Sequence, residues 1–142
     1  DVQRLRALLH AANGIIAGDA ALGLFCPSPL RPSTSPTVDL YCPPQFLERF
    51  MELFIGVEGF SLTSHESVSL SSSKTVDHYY HGLRSISTLH RSSQVLSVRT
   101  FRASSPLPAL CSQWTTLAFN FISAEGAYCA YPALTLRGRG LL

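Results

Sequence analysis

Charge is scarce in this chain. Only 14% of its 142 residues are Asp, Glu, Lys or Arg, and a single lysine stands against ten arginines. With a net charge of +2, it lacks the clustered cations that neutralise many phosphates, so nucleic acid is not indicated as a partner. Long apolar runs are missing as well. Nothing approaches the ~20 consecutive apolar residues of a membrane span, and no signal-peptide pattern is present, so no membrane association is expected. The four cysteines, Cys26, Cys42, Cys111 and Cys129, form no C-x-x-C pair, which removes the usual spacing of a zinc site. Their apolar or Pro-rich neighbours suggest reduced, mostly buried thiols of an intracellular, cytoplasmic protein. Because the sequence opens on Asp1 rather than Met and closes on "RGRGLL", it is expected to be a piece of a longer chain. Further sequence or a protein partner would then cover extra apolar surface.

The residues that are present suit one domain over 1–142. Hydrophobic residues make up 46%, and a chain of this length buries roughly 68–70% of its unfolded surface. "VQRLRALLHAA" puts Val2, Leu5, Leu8, Leu9 and Ala12 at helical spacing, with Asn13-Gly14 as its stop. Ile15 and Ile16 read as a short buried strand running to Gly18, and Asp19 as the cap of a helix over residues 20–25. "CPSPLRPSTSP", with four prolines in eleven residues, is an exposed loop. In "TVDLYC", strand alternation places Val38, Leu40 and Cys42 on one face and Thr37, Asp39 and Tyr41 on the other.

"PPQFLERFMELFIGVEG" is the clearest helix, with Phe46, Leu47, Phe50, Leu53 and Phe54 on its core side and Gly56 or Gly59 at its end. The Ser-rich run 61–73 reads as edge strands and turns. "GLRSISTLHR" and "QVLSVRTFR" form a hairpin about Ser92-Ser93. "SPLPALCSQWTTLAFNFISAEG" reads as a second long helix burying Trp114, Leu117, Ala118, Phe121 and Ile122, and "AYCAYP" as a last short strand. The fold class is α+β (α/β-like): a single mixed sheet flanked by helices.

A Gly at a strand end, a short helix, and then a strand with an outward Asp resembles the nucleotidyltransferase fold. "AGD" matches its glycine turn and "TVDLYC" its carboxylate strand. "VDLYCPPQFLERFMELF" and "FNFISAEGAYCAYPALTLRGRGL" are similar to a group of uncharacterised fungal proteins carrying such a domain, and the likeness covers about residues 10–142. In that group the strand reads Asp-apolar-Asp-Leu-Tyr and the chain ends in a similar "CAYP-LTLRGRG". The resemblance implies a turn whose backbone N–H groups approach a nucleoside triphosphate. It also implies paired carboxylates, with a third from a later strand, holding two Mg²⁺ ions for in-line attack.

This chain departs from that pattern at the reacting positions. Asp39 takes the second carboxylate position and would be the metal ligand, but the first is Thr37 and the third aligns near Ser97. No Asp or Glu occurs between His78 and Ala124. Asp19 places a negative charge beside Gly18, where the phosphate cradle would lie. Arg99 and Arg102, on or just after the "QVLSVR" strand, are the candidates for holding an anion in what remains of the cleft.

The expectation is a degenerate, non-catalytic binding or scaffolding domain. Two alternatives are a Mg²⁺-dependent transferase completed by sequence outside these residues, and an unrelated α+β interaction domain, which predicts Gly18 and Asp39 far apart. Other motifs read as structural. His78 and His81 in "DHYYH", and His65 in "SHES", suit polar turns. Arg137 and Arg139 in "LRGRG" suit a solvated strand end. Cys42 and Cys111 have no activating neighbour in sequence.

Overall fold

Asp1 caps the first helix, α1 (Val2–Ala12), by accepting a hydrogen bond from the Arg4 amide at 3.0 Å. Asn13 closes it in the left-handed conformation, φ 49°, while Gly14 N–H donates to Leu9 O. The structure, a computed structural model, describes residues 1–26, 37–68, 82–112 and 115–141. The proline loop, "DHYYH" and Trp114 therefore lie outside the described residues. After α1 come β1 (Ile15–Ala17), α2 (Asp19–Phe25) and β2 (Thr37–Cys42). A continuous helical run follows: a 3₁₀ turn over Pro44–Phe46, α3 (Leu47–Met51) and a π turn over Glu52–Val57. It ends at Gly59, φ 71°, with Phe60 N–H bonded to Phe54 O. Positive φ there suits glycine as a helix stop.

Next are β3 (Ser61–Ser67), β4 (Leu83–Arg91) and β5 (Gln94–Phe101), then α4 (Leu107–Leu110), β6 (Asn120–Ile122), β7 (Ala127–Cys129) and α5 (Pro132–Thr135). Among the described residues, seven strands form one mixed sheet in the order β3-β4-β5-β2-β1-β6-β7. β2 and β5 run parallel, and the other neighbours are antiparallel. This is an α+β fold with a single sheet flanked by helices.

Strand alternation sorts the core into two faces. On one, Leu9, Ala12, Phe50 and Phe54 of the helices pack with Leu40, Cys42, Leu89, Leu96 and Val98. On the other, Ile15, Ala17, Tyr41, Leu83 and Phe101 pack with Ala109 and Leu110 of α4.

Four expectations are corrected. The run from Pro106 to Gly126 is not one helix: α4 stops at Leu110, Thr116–Ala118 forms a 3₁₀ turn, and Asn120–Ile122 becomes β6. Its apolar spacing also fits a short strand. The outer edge of β1 supplies the pairing, through Ile16 with Ile122, and Phe121 stacks on Tyr128 with ring centroids 4.8 Å apart. The thiols are not mostly buried. Cys42 alone is buried, and burial pushes its pKa up to about 12, whereas Cys111, just past the end of α4, is exposed. "SHES" lies in the edge strand β3, in keeping with the reading of 61–73 as edge strands and not with a polar turn around His65, whose Nδ1 is 2.8 Å from Ser87 Oγ of β4.

The fourth concerns "LRGRG", which is a helix stop. Gly138 has φ 63° and Arg139 N–H bonds Leu134 O at 2.9 Å. Leu141 and Thr116 then exchange two hydrogen bonds, Leu141 N–H to Thr116 Oγ1 and Thr116 N–H to Leu141 O. Gly140 permits this approach, since a Cβ there would sit 2.8 Å from both Leu117 Cγ and Thr115 Oγ1.

Candidate functional site

The glycine turn and the carboxylate strand meet because β1 and β2 are antiparallel, with Ala17 opposite Asp39. The next residue, Gly18, therefore lies against Asp39. A Cβ on Gly18 would be 3.2 Å from Asp39 Oδ2 and 3.3 Å from Thr37 O. Its φ of 75° with ψ of −155° is a backbone region that side chains avoid, so glycine is needed twice over. Asp19 is not the cap of α2. It is the first residue of the helix, and its Oδ2 accepts from both the Thr37 N–H and the Thr37 hydroxyl, each at 3.1 Å. The carboxylate thus ties the turn to the start of β2, where the first amide of a strand needs an acceptor.

The parallel β2–β5 pair sets Asp39 directly beside Ser97. Two residues further along the same face, Arg99 reaches back over both. Its Nη2 donates to Asp39 Oδ1 at 2.9 Å, its Nε to Ser97 Oγ at 3.2 Å and its Nη1 to the Tyr41 hydroxyl at 3.2 Å. The guanidinium also lies 5.6 Å from the centroid of the Tyr41 ring. The ion pair is largely removed from water, with side-chain exposures of 11% for Arg99 and 15% for Asp39.

Burial nonetheless dominates the Asp39 carboxyl and holds its pKa above the ordinary value. Arg99 pulls the other way, and the nearby Asp19 charge adds to the rise. Desolvation exceeding the gain from one ion pair is expected for charges held this far from water.

The structure thus brings Gly18, Asp19, Thr37, Asp39, Ser97 and Arg99 together on one face at one end of the sheet. Arg102 is elsewhere. Its Nε donates to Leu83 O at 2.9 Å and its guanidinium also binds Val68 O, so it secures the entry to β4. The Tyr41 hydroxyl and the Asp19–Thr37 link are parts of the cluster that residue types alone do not single out. The alternation of Thr37, Asp39 and Tyr41, and of Ser97 and Arg99, carries the signal that these side chains share a face.

Comparisons with family models, curated proteins and solved structures give no match to this chain. Among the described residues, no group of three or more His, Cys, Asp or Glu side chains is placed to hold a metal ion, and no helix is long and apolar enough to cross a membrane. What the cluster does chemically follows from its charges. Asp39 and Arg99 neutralise each other, Asp19 is engaged by Thr37, and the hydroxyls of Ser97 and Tyr41 each accept a further guanidinium N–H. The arrangement is a locked polar network within the sheet face.

Proposed function

We propose that this chain is a nucleotidyltransferase-like domain that binds or scaffolds without transferring nucleotides. The observation that carries the reading is the Arg99 guanidinium on the Asp39 carboxylate. A two-magnesium centre needs several anionic oxygens converging on one point. Here the first expected carboxylate is Thr37, whose hydroxyl donates to Asp19. The third is Ser97, a neutral side chain in register with Asp39. These residues do not fit such a centre, and the cation beside Asp39 is the protein's own.

The contact of Gly18 with Asp39 supports kinship with the family, because an unrelated α+β domain predicts the two far apart.

The test combines titration with ATP and Mg²⁺ and a nucleotide-incorporation assay on wild type and Asp39→Ala. Neither protein is expected to incorporate nucleotide above background. Mg²⁺-dependent transfer by the wild type that Asp39→Ala abolishes would overturn the proposal.

A further inference from the structure

A second polar constellation lies on the other face of the sheet, at its β3–β4 edge, and does not depend on the reading of the Asp39 cluster. A groove of about 340 Å³ opens between the start of the long helical run and the ends of β3, β4 and β5. Its polar lining comprises Arg84, Arg102, His65, Ser67, Ser85 and Thr100, and its apolar wall Pro44, Leu47 and Val68. Arg84 and Arg102 therefore both line one space, and among the described residues that line it none is a carboxylate. A concave surface with two arginines and, among its described lining residues, no carboxylate favours an anion.

The groups are held ready. Arg102 is oriented by the carbonyls of Leu83 and Val68, which aims a planar fork without ordering cost at binding. His65 is fixed by its Nδ1 contact with Ser87 Oγ at 2.8 Å, leaving Nε2 as its other hydrogen-bonding atom. Ser85 Oγ and Thr100 Oγ1 lie 2.7 Å apart. One hydroxyl donates to the other, and the acceptor keeps a proton to give to a ligand. Arg84 is exposed on β4; its carbonyl accepts from the Val68 N–H at 2.9 Å, and its guanidinium makes no ion pair or hydrogen bond among the described residues.

We propose that this groove binds a small phosphomonoester. Its dianionic head sits between Arg84, Arg102 and His65, with the Ser67 hydroxyl and one hydroxyl of the Ser85–Thr100 pair as further donors. Its organic part lies against Pro44, Leu47 and Val68. The three terminal oxygens of a phosphate can engage two guanidinium groups at once, which the two oxygens of a carboxylate match less well, and the volume lies at the small end of the ~300–1,000 Å³ typical of ligand sites.

Calorimetric titration with phenyl phosphate, inorganic phosphate and benzoate tests this on wild type and on Arg84→Gln, Ser67→Glu and Arg4→Gln. Phenyl phosphate is expected to bind saturably and at least tenfold more tightly than either other probe. Arg84→Gln should weaken it tenfold or more, Ser67→Glu should abolish it by placing a carboxylate in the groove, and Arg4→Gln, on α1, should leave it unchanged. Far-UV circular dichroism checks that each variant is folded. The proposal fails if phenyl phosphate shows no saturable binding, if benzoate or inorganic phosphate binds equally well, or if Arg4→Gln matches the loss in Arg84→Gln.

Discussion

Arg99 Nη2 lies 2.9 Å from Asp39 Oδ1 across two parallel neighbouring strands. The pair sets an internal cation on the Asp39 carboxylate. Removing either partner leaves a charge with little access to water. Arg99→Met is expected to destabilise the fold by about 3–5 kcal/mol, toward the lower end because both side chains keep some exposure. Adding Asp39→Leu should recover most of that loss, since an apolar pair of similar volume is often no worse than a buried ion pair. Urea denaturation of the two single variants and the double variant measures the coupling.

The Asp39 carboxyl should titrate above its ordinary 3.8, because burial outweighs the pull of Arg99. A folded pKa raised above the unfolded value means that its stabilising contribution is fully present below the unfolded pKa. That contribution is lost as pH rises through the folded pKa. Removing the Arg99 charge should move the midpoint further up, and Asp19→Asn should move it down by removing a like charge. Carbon-detected NMR of the aspartate side chains from pH 2 to 8 reads both shifts. A midpoint unmoved by Asp19→Asn would contradict the proximity of the two carboxylates.

Gly18 and Gly23 offer a matched pair of substitutions at the two ends of one short helix. Gly18→Ala combines a backbone strained at φ 75° with a contact at 3.2 Å to Asp39 Oδ2, and should cost about 1–3 kcal/mol. Gly23 has no atom within 4 Å of an added Cβ, so Gly23→Ala should gain roughly 0.5–1 kcal/mol from helix propensity. Thermal denaturation should show Tm shifts of opposite sign.

Gly140 tests the reading of the last segment. A Cβ there meets Leu117 and Thr115 at 2.8 Å, so Gly140→Ala should cost about 1–3 kcal/mol through overpacking. Local detachment of the segment relieves the clash more cheaply than global unfolding. Hydrogen exchange at the Thr116 and Leu141 amides should therefore rise while the β4–β5 amides stay protected. Gly126→Ala, with open space around it, is the silent control.

Much of this molecule is legible along the chain because the relevant signals are local. The helical stripe of α1, the left-handed Asn13, the run from Pro44 to Gly59 and the β4–β5 hairpin each depend on residues a few positions apart. Strand alternation in "TVDLYC" likewise determines by itself that Thr37, Asp39 and Tyr41 share a face. The segment from Pro106 to Gly126 was not legible in the same way. Its apolar spacing suits a helix and a strand alike, and a free edge on β1, about a hundred residues earlier in the chain, decides between them. Tertiary structure alone also decides the chemistry of the candidate site. Which groups lie near Arg99 depends on β5 running parallel to β2 in a register that sets Ser97 beside Asp39. Arg102, three residues further on, leaves that face altogether to join Arg84 and His65. Residue types fix which charges exist; strand pairing fixes which of them meet, because a carboxylate and a guanidinium neutralise each other only at contact distance and out of water.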